Sequence, residues 1–193
     1  SDVINLGKGV SSLDNLRWTE NGVATGDGEL PYSTSALVAQ WNFNETSGTT
    51  AASGGTCGTS CNGTVTSMTT TSQDSAAGDG WTKNNKLWGA GALMFDGTDG
   101  HVTIPNGNTV SSIEAWVNPV TVASINILQL TAGATITTSA AGVVTATGFT
   151  SPTVYLNGST VDLVLKAGQW NHVVVSSATG ISTSTGYLGR VST

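Results

Sequence analysis

The chain has 193 residues, a formal net charge of −6 and only 9% charged residues. Its six Lys and Arg residues are scattered, which excludes the clustered basic surface that nucleic acid or an anionic membrane would need. It contains no stretch of 18 apolar residues, so we expect no membrane insertion by this chain.

The composition predicts a single all-β domain. Thr, Ser, Val and Ala dominate together with 25 glycines, whereas the helix formers Glu, Lys, Arg and Gln are scarce. β-branched residues suit pleated sheets, and glycine suits the turns between strands. A chain of this length can form one β-domain with a substantial core.

Residues 1–35 differ from the rest and are predicted to form an N-terminal arm or linker. Val3, Ile4 and Leu6 make a short apolar piece that suits an extended conformation, and Ser12 is a candidate N-cap for one or two helical turns. The turn-rich residues that follow leave three interpretations open: an arm, a linker, or the tail of an upstream element.

The predicted domain, residues 36–193, begins with a strand over residues 37–43 and a loop over residues 49–63. The loop carries Cys57 and Cys61, and we expect a disulfide there rather than free thiols. A zinc site would need two more ligands, which only His101 and His172 remain to supply. The disulfide favours an oxidising compartment, either extracellular or at the cell surface.

Residues 88–105 hold the strongest local signal in the chain. A strand over residues 64–68 and a polar loop over residues 69–86, punctuated by Trp81, lead up to it. Residues 92–95 and 101–104 are then predicted to pair as a β-hairpin around the turn sequence DGTDG.

The second half of the chain is predicted to consist of short strands. In residues 112–119, Ile113, Ala115 and Val117 share one face, whereas Glu114 and Trp116 share the other. Further strands are predicted over residues 125–131, 135–138, 142–146, 153–157, 161–165, 169–175 and 186–191. This spacing is typical of a sandwich, a jelly roll or a barrel.

Four segments, in order, resemble a known family: LVAQWNFNETSGTTAAS, WGAGALMFDGTDGHVTIP, SSIEAWVNP, and GQWNHVVVSSATG followed by GYLGRVS. Over about residues 37–191 they resemble the laminin-G-like, concanavalin A-like lectin/glucanase jelly rolls of bacterial extracellular and pilin-like surface proteins. The resemblance implies an antiparallel two-sheet jelly-roll sandwich. It implies little about function, because this fold hosts lectins, hydrolases, adhesins and structural modules.

A calcium site is the metal site that the chain favours most. Asp96 and Asp99, with Asn44 or Glu45, would supply oxygen ligands. In the alternative interpretation, which we favour slightly, the two aspartates are turn residues whose carboxylates accept backbone N–H groups. Gly100 and His101 stand where members of the family usually have an acidic residue and an aromatic residue. These differences weaken the calcium site that the resemblance implies.

Members of the family generally continue past the GYLGRVS segment with one further strand, whereas this chain stops at Thr193. A jelly roll without that strand would expose unpaired N–H and C=O groups on a neighbouring strand. We therefore expect residues 2–10, including Val3, Ile4 and Leu6, to fill the edge in the same molecule or in the next one. A shortened chain is the alternative explanation.

No catalytic residues are predicted. Glycosidases of this fold need a carboxylate pair, but Glu114 and Asp162 each stand alone in the sequence. His172 lacks an accompanying nucleophile motif and is interpreted as a packed, hydrogen-bonded histidine. His101 follows a turn and is expected at the surface.

Glycan binding would depend on exposed aromatic rings near turns, since their faces can stack on sugars. The candidates are Trp81, Trp88, Tyr155 and Tyr187. Trp41, Trp116 and Trp170 lie within predicted strands and are expected to fill the core.

The first functional hypothesis is therefore a non-catalytic, extracellular structural or adhesive module, such as a pilus-like filament subunit that binds copies of itself by strand pairing. The second is a lectin-like module that binds surface glycans. A glycoside hydrolase is a distant third.

Overall fold

The computed structural model describes residues 35–105, 107–184 and 186–190. The predicted arm, with its assembly residues Val3, Ile4 and Leu6, therefore lies outside the described residues except for Ser35. In the part that is described, no helix has the length and hydropathy of a membrane span.

The described chain is all-β with antiparallel sheets, as predicted, and its largest sheet has seven strands in the order β11-β10-β9-β14-β7-β4-β2. In chain order, these strands are β2 (Thr50–Ala51), β4 (Gly63–Thr66), β7 (His101–Ile104), β9 (Asn126–Thr131), β10 (Ala134–Thr138), β11 (Val144–Thr147) and β14 (Gly186–Leu188).

A three-stranded sheet has the order β12-β13-β8, and two further sheets have two strands each, β1-β3 and β5-β6. The strands are β1 (Gln40–Trp41), β3 (Ser53–Gly54), β5 (Gly80–Thr82), β6 (Ala92–Met94), β8 (Thr109–Val117), β12 (Thr153–Leu156) and β13 (Asn171–Ser182), and a 3₁₀ turn covers Gly58–Cys61.

The main core lies between the seven-stranded and the three-stranded sheets, which gives a sandwich-like fold. Leu128 and Ile136 of the larger sheet belong to the same buried cluster as Leu156, Val173 and Val175 of the smaller one. Alternation explains this arrangement, because every second residue of a strand points to the same side. Ile113 and Val117, which share one face of β8 as predicted, pack against this core.

A second, smaller core is built around Trp81. Its ring is fully buried with Ala51, Val65 and Val102. The indole Nε1–H donates to the carbonyl of Gly48 at 2.7 Å, so its polar atom is satisfied. This core fastens β5 and the surrounding loop to one end of the seven-stranded sheet.

The hairpin predicted over residues 88–105 was wrong, although both of its strands exist. β6 pairs with β5, whereas β7 pairs with β4 on one side and β14 on the other. Both edges of β7 are therefore occupied by strands distant in sequence. The turn between β6 and β7 joins two sheets instead of two neighbouring strands.

Other predicted boundaries also change. Only Gln40–Trp41 of the strand predicted over residues 37–43 is extended and paired. Residues 161–165 form no strand and contribute a single bridge, from Val164 to Val143. The polar loop over residues 69–86 contains a strand that was not predicted, β5, because Trp81 is pulled into the second core.

Candidate functional site

The outer face of the three-stranded sheet carries the side chains that alternation turns away from the core. Across this sheet the register aligns Tyr155 of β12 with Val174 of β13 and Glu114 of β8. In the adjacent row, Trp116 of β8 lies directly opposite His172 of β13. Four residues with aromatic rings or a carboxylate thus share one rigid surface.

Trp116 contacts two other rings at this face. The rings of Trp116 and His172 stack with their centroids 4.6 Å apart and their planes 16° apart. Trp88, from the loop before β6, meets Trp116 edge to face, with centroids 5.0 Å apart. Trp88 is 44% exposed and Trp116 is 37% exposed. We call Trp88, Trp116 and His172 the outer aromatic cluster.

A carboxylate stands at the rim of the cluster. His172 Nε2 lies 2.8 Å from Glu114 Oε1, and because a carboxylate can only accept, the imidazole N–H donates. The Glu114 side chain is 68% exposed, so its carboxylate remains open to solvent. The histidine therefore links the aromatic rings to a negatively charged group.

Backbone hydrogen bonds hold His172 in place. Its N–H donates to Asn157 Oδ1 at 2.8 Å, and its carbonyl accepts from the N–H of Asn157 at 2.8 Å. Asn157 and Gly158 both have positive φ, and the two residues turn the chain at the end of β12. Asn and Gly tolerate this left-handed conformation, so the local sequence fixes the turn that braces His172.

The predicted glycan-binding residues fall in three different places. Trp88 and Tyr155 lie on the face just described, and Tyr155 is 39% exposed. Trp81 was wrongly placed, because a ring with 0% exposure in the second core cannot stack on a sugar.

Tyr187 lies on the seven-stranded sheet, whereas Trp116 and His172 lie on the three-stranded sheet. Its ring meets the ring of His101 edge to face at 5.4 Å. The Arg190 guanidinium lies 4.2 Å from its centroid and forms a cation–π contact. These neighbours leave Tyr187 half-buried.

Trp116 was expected in the core, and this expectation was wrong. Its neighbours on β8, Ala115 and Val117, turn inward, so alternation places Trp116 outward. Trp41 does pack against both cores. His172 is hydrogen-bonded, as predicted.

Calcium binding by Asp96, Asp99, Asn44 and Glu45 stays a prediction. Among the described residues, no group of three or more His, Cys, Asp or Glu side chains is arranged to hold a metal ion. Asn44 Oδ1 accepts from the N–H groups of Ala90 and Gly91, and Glu45 Oε1 accepts from the N–H of Ala52.

Asp96 instead makes the turn contacts of the alternative interpretation. Its Oδ1 accepts from the N–H groups of Thr98 at 2.9 Å and Gly100 at 3.0 Å. These bonds, the one from Thr98 above all, lower the pKa of the Asp96 carboxyl because they stabilise its charged form. The Asp99 carbonyl lies 2.8 Å from His101 Nδ1.

The disulfide between Cys57 and Cys61 is confirmed. Cys61 is buried, and its carbonyl accepts from the indole N–H of Trp41 at 3.0 Å. The bridge thus fixes a loop against the first strand.

A polar groove of about 420 Å³ on the seven-stranded sheet competes with the outer aromatic cluster as a binding site. It is lined by Ser124, Ile125, Asn126, Gln129, Ala132, Thr135, Thr137 and Thr138. This lining contains no aromatic ring and no charged side chain, so it offers neither a stacking surface nor an ionic contact.

Comparison of the chain with protein-family models, with curated proteins and with solved structures found no match.

Proposed function

We propose that this chain is a non-catalytic, extracellular carbohydrate-binding module with a jelly-roll β-sandwich of the laminin-G-like, concanavalin A-like type. The observation that carries the proposal is the outer aromatic cluster, in which Trp116 of β8 and Trp88 of a neighbouring loop remain exposed and in contact. Exposed clusters of large aromatic rings occur more often at binding sites than elsewhere on protein surfaces.

The geometry suits a sugar ring. The C–H groups on one side of a pyranose form an apolar face that packs on an indole, while its hydroxyls need hydrogen-bonding groups at the edge. Trp88 supplies the exposed indole, and Glu114 and Tyr155 supply an acceptor and a hydroxyl nearby. Because Trp116 and His172 are stacked beforehand, little side-chain freedom is lost on binding.

The chemistry of the rest of the chain agrees with this proposal. The net charge of −6 disfavours anionic polymers as partners. The Cys57–Cys61 disulfide suits an oxidising compartment, where surface glycans are found.

A direct test is calorimetric titration with a panel of oligosaccharides, using the intact chain and the variants Trp88→Ala and Trp116→Ala. We expect each variant to lose at least about tenfold in affinity, corresponding to about 1.4 kcal/mol. Tyr187→Ala is the matched control, since it removes an aromatic ring from the other sheet and should leave the affinity unchanged. Binding that is lost with Tyr187→Ala and retained with Trp88→Ala would overturn the proposed site.

A second candidate function is a structural or adhesive subunit that pairs with other copies of the chain. The observation in its favour is β8, a nine-residue strand that pairs with β13 on one edge and with no described strand on the other. Such an edge is a template for strand addition, for which Val3, Ile4 and Leu6 are the candidate donor residues.

Electron microscopy and size-exclusion chromatography test this second function. Filaments or oligomers that disappear when residues 1–10 are deleted would support it. A monomer at all concentrations, with or without those residues, would overturn it.

A further inference from the structure

We infer that the outer aromatic cluster selects a glycan that carries a free, protonated amine, such as a glucosamine oligomer, over the neutral N-acetylated counterpart. This inference rests on the proposed function, because it names the class of sugar that the same site would take. It follows from the charge at the rim of the cluster.

Glu114 is the charged group at this rim. Its carboxylate is mostly exposed, and its hydrogen bond to His172 uses only Oε1. In the described part of the chain, no Lys or Arg side chain forms a salt bridge with it. The carboxylate therefore keeps acceptor capacity for a ligand, and an ammonium group satisfies it better than a neutral hydroxyl does, because the hydrogen bond is then charge-assisted.

The rings beside this carboxylate favour the same charge. The face of an indole is electron-rich and attracts a cation placed within about 6 Å of the ring centroid. Trp116 stands next to Glu114 on the outer face, since His172 is stacked on its ring and hydrogen-bonded to the carboxylate. We expect an ammonium group that contacts Glu114 to lie beside the outer aromatic cluster.

His172 acts as a positioning residue here. Its backbone is fixed by Asn157, its ring by Trp116, and its Nε2–H by Glu114. A glutamate on an exposed strand would otherwise sample several rotamers, at an entropic cost on binding. The stack therefore orients the carboxylate before a ligand arrives.

Two basic side chains of the described residues make contacts with other groups. Lys86 is the basic residue closest to Trp88 in sequence, and its amine donates to the carbonyl of Gly89 at 2.6 Å. Arg190 lies against Tyr187 on the seven-stranded sheet. The negative charges of Glu114 and of the whole chain, which has a net charge of −6, also disfavour uronic and other acidic sugars.

The experiment compares two ligands that differ only in the acetyl groups. Binding of a glucosamine hexasaccharide and of its N-acetylated form is measured by calorimetry, at low ionic strength and at a pH where the amine is protonated. We expect the amine form to bind at least about tenfold more tightly. This preference should shrink as salt is added, because exposed charges are screened.

Glu114→Gln is the informative variant, since it keeps the size of the side chain and removes its charge. It should abolish the preference, because losing the charge weakens binding of the amine form far more than binding of the N-acetylated form. Asp162→Asn, which removes the same charge from an exposed carboxylate in the loop after β12, is the matched control and should retain the full preference.

The outcomes separate the two proposals. Equal affinity for both forms, or tighter binding of an acidic oligosaccharide, would overturn the amine preference and leave the proposed carbohydrate binding intact. Binding of neither form, nor of any other glycan in the panel, would overturn both. A preference that persists in Glu114→Gln would overturn the role of this carboxylate.

Discussion

Trp116 and His172, on the neighbouring strands β8 and β13, lie directly opposite each other and stack with 4.6 Å between their ring centroids. The pair sits on the outer face of the smaller sheet. His172 also donates to Glu114, so one contact joins an aromatic surface to a carboxylate.

This stack should be measurable as a coupling free energy. In a double-mutant cycle on the free energy of unfolding, Trp116→Ala and His172→Ala should be non-additive by about 0.5–1.5 kcal/mol, as is usual for aromatic pairs. Trp116→Ala combined with Tyr155→Ala is the control, because these residues lie in different rows and on non-adjacent strands. Additive effects in the first cycle would show that the two rings do not interact.

Trp81 and Trp88 should differ sharply in their effect on stability. Trp81→Ala empties the centre of the second core and removes the indole donor to Gly48, so it should cost about 3–5 kcal/mol. Trp88→Ala removes a partly exposed ring that contacts Trp116 and should cost only about 0.5–1.5 kcal/mol. Urea unfolding followed by circular dichroism gives both values, and similar losses for the two variants would contradict the burial of Trp81.

The Asp96 turn should make stability depend on acid pH. Because the folded-state pKa of Asp96 is lowered from the ordinary value of 3.8, its contribution is fully present above that value and is lost as the pH falls through the folded pKa. Asp96→Asn keeps an acceptor oxygen and removes the charge. The variant should therefore be less stable than the parent at neutral pH, and the gap should close in acid. A gap that is constant with pH, measured by urea unfolding, would exclude this turn as its origin.

The disulfide should contribute moderately to stability. It closes a loop of sequence separation 4, for which the chain-entropy estimate is about 2 kcal/mol. The double variant Cys57→Ala/Cys61→Ala should lose about this amount in urea unfolding while retaining the β-sheet circular dichroism spectrum. Loss of the folded state altogether would mean that the loop nucleates more of the structure than its local contacts indicate.

The sequence was a good guide wherever alternation alone decides the structure. In β8, the pattern IEAWV correctly placed Ile113 and Val117 on one face and Glu114 on the other. In β13, the pattern HVVV correctly placed His172 on the face opposite Val173 and Val175. Period-two alternation depends only on neighbours in the chain, so it can be read locally.

Pairing between distant strands could not be predicted in the same way. The hairpin signal of residues 92–104 is local, whereas the partners of β7 are β4 and β14, and those pairings depend on the whole fold. Likewise, Trp81 and Trp88 lie in similar polar surroundings in the sequence, yet only Trp81 meets Ala51, Val65 and Val102.

The candidate site could not be predicted for the same reason, because it depends on pairing between distant strands. Trp116 was assigned to the core because tryptophan in a strand usually fills one, although alternation with Ala115 and Val117 already indicated an outward side chain. In the sequence His172 and Glu114 are 58 positions apart, and no local pattern connects them. Only the register of β8 against β13 shows that they meet.

The most direct test of carbohydrate binding at the outer aromatic cluster is a titration of the ¹⁵N-labelled chain with a glucosamine oligosaccharide, followed through the tryptophan indole N–H signals in NMR spectra. The signals of Trp88 and Trp116 should shift in a saturable manner. Those of Trp41 and Trp81, whose indole N–H groups donate to the carbonyls of Cys61 and Gly48, should not shift. Saturable binding that leaves the Trp88 and Trp116 signals unmoved, or no binding of any glycan, would contradict the proposal.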